Sequence, residues 1–205
     1  MSDYMPDAPI RVNPRRIGPH DRNLDVPFRL PHLVAVADAL LLTPQRFAVQ
    51  AAAMIEDARN LGWLVLVAGN GGSAATASHF AADLGRSCGV RAIALTDSVE
   101  SITGEANDNS YAEVFSEQYL RLVGEHPERA LVVLLSVSGT SPSIARLASA
   151  AHDSTVIVLF GGGQAARDNA AMWGAAGVCV PSEDYEVVED VHLALCHAIK
   201  KELMR

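Results

Sequence analysis

The sequence predicts an α/β protein: a three-layer α/β/α sandwich around a five-stranded parallel sheet, preceded by N-terminal helices. Three observations carry this. Apolar runs of strand length recur at 64–68, 90–95, 131–135, 155–160 and 178–180. Most are apolar at successive positions rather than at alternate ones, as strands buried on both faces are. Helical stretches fall between them, and parallel strands need such crossovers.

Composition sets the outer limits. A chain of 205 residues suits one domain with a real core. The formal charge of −8 leaves no electrostatic footprint for nucleic acid. A phosphate ligand would therefore be held by local backbone donors and hydroxyls. The three cysteines, Cys88, Cys179 and Cys196, are odd in number and lack C-x-x-C spacing. They read as free thiols in a reducing compartment, and a cytoplasmic location is expected. No apolar run reaches membrane-spanning length, and the N-terminal segment does not have the pattern of a signal sequence, so no membrane association is expected.

Residues 1–30 carry Pro6, Pro9, Pro14, Pro19 and Pro27 with five arginines and no apolar period. They read as an extended proline-rich arm ahead of a single domain over 31–205. Pro31 suits the first turn of a helix reaching about residue 42. Thr43 and Pro44 repeat that signal as N-cap and first helical residue. Phe47, Ala51, Met54, Ile55 and Ala58 then keep a helical stripe that Gly62 closes. The strand at 64–68 stops at Gly69-Asn70-Gly71-Gly72-Ser73, and a helical pattern follows at once. A strand, a glycine turn and a helix N-terminus together favour a bound anion. Further up that helix, His79 and Asp83 are four residues apart and share a face. Later helices are expected near 111–123, 142–152, 165–173 and 186–203. In such folds ligands sit beyond the carboxyl ends of the strands.

The loop after the third strand reads Ser136-Val137-Ser138-Gly139-Thr140-Ser141-Pro142. A helix cap needs one hydroxyl, and this corner has four. Neutral donors hold a phosphate monoester without the cost of burying lysines, so a second phosphate-binding loop is expected.

Together these two loops on a five-stranded α/β sheet resemble a SIS (sugar isomerase) domain. The finer match is to the sedoheptulose 7-phosphate isomerases, or phosphoheptose isomerases. The resemblance runs from about residue 45 onward and includes Ala94-Leu95-Thr96-Asp97, Asn107-Asp108 and Phe115-Ser116. It implies an isomerase converting D-sedoheptulose 7-phosphate, or a related heptulose or octulose phosphate, to D-glycero-D-manno-heptose 7-phosphate or its counterpart. It also implies a homotetramer with active sites at subunit interfaces and one zinc ion per site. Carried over by position, Asn70, Gly71, Gly72, Ser73, Asp97, Ser136, Ser138 and Ser141 bind substrate. His79, Asp83, Glu189 and His197 hold the metal, and Asp83 and His197 are catalytic.

The chemistry asks for such groups. Moving a proton between neighbouring carbons through an enediol needs a base (Asp83), an acid (His197) and something to polarise the carbonyl (zinc). On the last helix Glu189 and His197 are about 80° apart around the axis, so one cavity can see both. His192 forms an i, i+3 pair with Glu189 and competes for the ligand role, but it lies about 140° from His197. The bland alternative for His192 is a structural histidine at a subunit contact. Against the family pattern, Asp83 stands for a usual Glu, Glu189 for Gln and Val137 for Thr, and the loop Gly161-Gly162-Gly163-Gln164 lacks the charges often found there. These changes gather near the sugar and suggest a specialised substrate. The main rival is a non-catalytic relative that binds the replication initiator and lacks the catalytic carboxylate and last-helix histidine; here both residues are present.

Overall fold

A computed structural model describes residues 30–205. The arm expected over 1–30 lies, apart from Leu30, outside the described residues. Two helices lead, α1 (Pro31–Leu42) and α2 (Arg46–Asn60), followed by β1 (Leu64–Ala68) and α3 (Gly72–Cys88). Then come β2 (Ala92–Ala94), α4 (Val99–Asp108) and α5 (Ser116–Val123), with a 3-10 turn at Tyr111–Glu113 between the last two. The chain continues through β3 (Ala130–Ser136), α6 (Pro142–Ala150), β4 (Thr155–Phe160), α7 (Gln164–Trp173) and β5 (Ala176–Cys179), and ends in α8 (Tyr185–Leu203).

The five strands form one all-parallel sheet in the order β2-β1-β3-β4-β5. Strand alternation divides the core. Val65, Val67, Leu131, Val133, Ile157 and Leu159 face α2, α3 and α8, with Ala39 of α1 in the same cluster. Leu66, Val132, Leu134, Val158 and Phe160 face the other way, against Phe115, Tyr119, Ile144, Leu147 and Ala166. Both faces are therefore covered, which is why these strands read as apolar runs.

The strand order fixes where a ligand can sit. From β1 the chain turns outward to β2, then crosses back to β3 on the other side of β1. The loops after β1 and β3 thus diverge from neighbouring strands, which is the topological switch point of a doubly wound sheet. These are the two loops singled out above.

Two local expectations are corrected. Thr43 does not cap α2; its hydroxyl donates to the Ala39 carbonyl at 2.7 Å and finishes α1, so α2 starts two residues after Pro44. The helix expected over 111–123 is a 3-10 turn and α5, and α4 comes before it. No residue of α4 is buried, so that helix left no apolar stripe to read.

Candidate active site

The glycine turn after β1 is shaped by close approach. A Cβ on Gly69 would stand 2.6 Å from the Ser73 carbonyl oxygen, and Gly71 adopts φ 57°, ψ −126°, which side chains disfavour. The turn delivers the first N–H groups of α3 to the switch point. Asn70 is fixed at both ends: its Oδ1 accepts from the Tyr111 hydroxyl at 2.9 Å and its Nδ2 donates to Ser143 Oγ at 3.0 Å. That second bond ties the β1 loop to the head of α6.

In the loop after β3, Ser136 Oγ accepts from the Gly139 N–H at 3.1 Å and Ser138 Oγ from the Thr140 N–H at 3.3 Å. Ser141 sits at the N-cap of α6 but its side chain makes no capping bond. A capping role therefore does not account for its hydroxyl. Asn70, Ser73, Ser136, Ser138 and Ser141 line one cleft, closed on its far side by Tyr185 and Glu189 from α8. Gly71 is the N-cap of α3 and Gly72 its first residue, between Asn70 and Ser73 in the chain.

Helices α3 and α8 run parallel, side by side, in a nearly constant register. A Cβ on Gly72 would overlap the Glu189 carboxylate. Further along, Nε2 of His79 lies 2.9 Å from Nε2 of His197, and Oδ1 of Asp83 lies 2.6 Å from Nζ of Lys200. The partner numbers differ by 117, 118 and 117, so the helices form three rungs. The middle and last rungs touch, because Oδ2 of Asp83 is 3.4 Å from Nε2 of His79. Donor atoms of His79, Asp83 and His197 all lie within 4.8 Å of one another. Glu189 is eight residues before His197, a rise of about 12 Å along the helix. Within one chain it stands at the serine-lined cleft, two turns from the histidines.

The donor set suits a borderline metal. Two imidazole nitrogens and a carboxylate oxygen are zinc ligands, and neighbouring ligands of a tetrahedral ion lie about 3.3 Å apart. The 2.9 and 3.4 Å separations bracket that edge. The Lys200 ammonium on Asp83 holds its carboxyl below the ordinary value, outweighing the opposite push of partial burial. Asp97 sits beside the same helix, its Oδ1 accepting from Ser78, the residue before His79.

His192 is not at a surface. It is wholly buried under α8, its Nε2 3.3 Å from the Phe160 carbonyl, which separates it from the His79 cluster. Sequence reasoning missed Lys200, Tyr111 and Tyr185. Chain-distant partners reveal the first two, Lys200 across 117 residues and Tyr111 across 41, and its place in the cleft wall reveals Tyr185.

The sheet order and the two loops place the molecule in a recognisable class, and comparison with known proteins bears on it directly. A SIS-domain family model matches residues 41–161, the stretch holding both loops and β1 to β4. Phosphoheptose isomerase of Shewanella loihica is 36% identical over 147 residues, covering 66% of this chain and 71% of that protein. The solved phosphoheptose isomerase of Neisseria gonorrhoeae is 31% identical with a TM-score of 0.72, and that of Francisella tularensis 26% identical with a TM-score of 0.74. Each structural match covers 84% of this chain and 92% of the other. The chain belongs to the SIS-domain phosphoheptose isomerase family.

Proposed function

We propose that the protein is an aldose–ketose isomerase acting on a sugar phosphate, D-sedoheptulose 7-phosphate or a close heptulose or octulose phosphate, and giving the corresponding aldose phosphate. The observation that carries this is the His79, Asp83 and His197 cluster lying along α3 from a glycine- and hydroxyl-lined cleft, in a chain of this family. The cleft takes the phosphate: the α3 N-terminus supplies backbone N–H groups and Ser73, Ser138 and Ser141 supply hydroxyls. The ketose carbonyl then extends toward the histidines, with Asp97 beside the sugar chain.

Asp83 takes the proton from the carbon next to the carbonyl, on Oδ2, the oxygen Lys200 does not hold. His197 serves as the acid. His79, Asp83 and His197 would hold a zinc ion, whose contribution when bound is to polarise the carbonyl and so acidify the neighbouring C–H. The metal and proton duties share atoms: Nε2 of His197 faces Nε2 of His79, so it serves one task at a time.

A homotetramer with interface active sites fits two features. Glu189 would join a ligand set with His79 and His197 only across a subunit boundary, given its place on α8. The first helices also expose Leu33, Val34, Leu41, Leu42 and Val49, a surface suited to burial against another copy. Free cysteines and the absence, among the described residues, of any helix able to cross a membrane are consistent with the cytosolic location proposed.

The test is incubation of the full chain with sedoheptulose 7-phosphate, with and without added zinc, and detection of aldoheptose 7-phosphate. Turnover is expected, and Asp83→Asn or His197→Gln should each lower kcat by about 10²–10⁴-fold with the fold intact. Tight sugar-phosphate binding with no turnover of any seven- or eight-carbon ketose phosphate would overturn this reading in favour of a non-catalytic binding protein.

A further inference from the structure

We propose that Lys200 is a positioning residue for the candidate metal site: it fixes Oδ1 of Asp83 so that Oδ2 is presented to His79 and His197. The proposal rests on the metal-assisted reading above and assigns a new residue to it. Three features carry it. The Lys200 Nζ to Asp83 Oδ1 contact is short, 2.6 Å, and both side chains are largely withdrawn from water, at 23% and 17% exposure. Charge-assisted bonds of that length hold geometry as well as charge. The two carboxylate oxygens are divided, one for the ammonium and the other 3.4 Å from the His79 imidazole. Finally, Lys200 stands three residues after His197, so the turn of α8 that delivers the second imidazole also orients the carboxylate.

A carboxylate on a short stem needs such help. Asp83 can rotate about its last bond and present either oxygen, or neither, to the imidazoles. Partners that orient a ligating group commonly change metal affinity by about 10–100-fold when removed. The neighbouring Lys201 is exposed and complements the C-terminal end of the helix dipole. Lys200 turns inward instead, which a dipole role alone does not require.

The sign of one measurement decides the matter. A positive charge near a cation site repels the cation, so charge alone predicts that removing Lys200 strengthens metal binding. Orientation predicts the opposite. The experiment titrates metal-stripped full-length protein with cobalt(II) and follows the visible absorption of the bound ion, without measuring turnover. Lys200→Met should weaken cobalt affinity by about 10–100-fold and alter the spectrum. Lys200→Arg should restore most of the affinity, and Lys201→Met should leave it unchanged. Thermal melts of each variant check folding, and Lys200→Gln, which also removes the charge, carries the test with the same expected loss if the Met variant is unstable. Cobalt binding that is unchanged or tighter in Lys200→Met overturns the proposal while leaving the isomerase reading standing. A wild type that binds no cobalt overturns the metal reading together with it.

Discussion

His192 shows how a single buried group sets a pH limit. The Phe160 carbonyl can only accept, so Nε2 carries the hydrogen and Nδ1 has no partner among the described residues. Burial pushes the imidazole down to about 4, from an ordinary 6.5. The folded chain therefore refuses a proton that the unfolded chain takes up as pH falls through 6.5. Stability is fully present above 6.5 and is lost on the way down to 4, by up to about 3 kcal/mol. Urea midpoints between pH 7 and 4 should fall accordingly, and His192→Leu should flatten that fall, since the Phe160 carbonyl keeps its bond from the Val180 N–H at 2.8 Å. An equally steep fall in the variant would show that other groups govern it. Asp83 acts in a separate window: its carboxyl is already held below the ordinary value, so its contribution is lost only in stronger acid. At this scale the sequence was readable where a residue acts with its chain neighbours. His79 and Asp83 announce each other by spacing, whereas Lys200 sits in a Lys-Lys pair indistinguishable from ordinary dipole cations. The helical angle between Glu189 and His197 was also legible, but an angle carries no information about the rise that separates them.

Among the elements, α3 does the most with the least sequence. Its N-cap is Gly71, whose backbone, at φ 57° and ψ −126°, residues with side chains disfavour. Gly71→Ala should cost about 1–3 kcal/mol in urea unfolding and also raise KM for the sugar phosphate, because the strained turn aims the first N–H groups. A loss of stability with KM unchanged would mean that the turn shapes the fold but not the cleft. The β1 turn, the hydroxyl loop and most strands were legible because glycine, proline and apolar runs each have one dominant physical cause. The elements that were misread lack such a cause. Helix α4 buries none of its residues, and only its Ser98 cap, accepting from Ser101 N at 3.4 Å, marks its start. Thr43-Pro44 has the composition of a helix start, yet its hydroxyl found a carbonyl of the preceding helix first.

On the scale of the whole molecule, the strand order brings the glycine loop and the hydroxyl loop to neighbouring strands, and Tyr185 and Glu189 of α8 line the same cleft. That arrangement could not be read from the chain, since strand order depends on crossovers that leave no local pattern. The apolar face left on α1 belongs to this scale too. With the assembly proposed, Leu41→Glu together with Leu42→Glu should shift the protein to smaller species in light scattering and lower turnover while helicity is kept. Retention of a tetramer by that variant would place the interface elsewhere. The parallel register of α3 and α8 has a consequence for how this sequence can vary. Each rung is filled in a complementary way: nothing against glutamate, imidazole against imidazole, a short acid against a long amine. A residue that grows on one helix must shrink on the other. Natural drift at positions 72, 79 and 83 is thereby tethered to positions 189, 197 and 200, and changes there should be inherited as couples rather than singly.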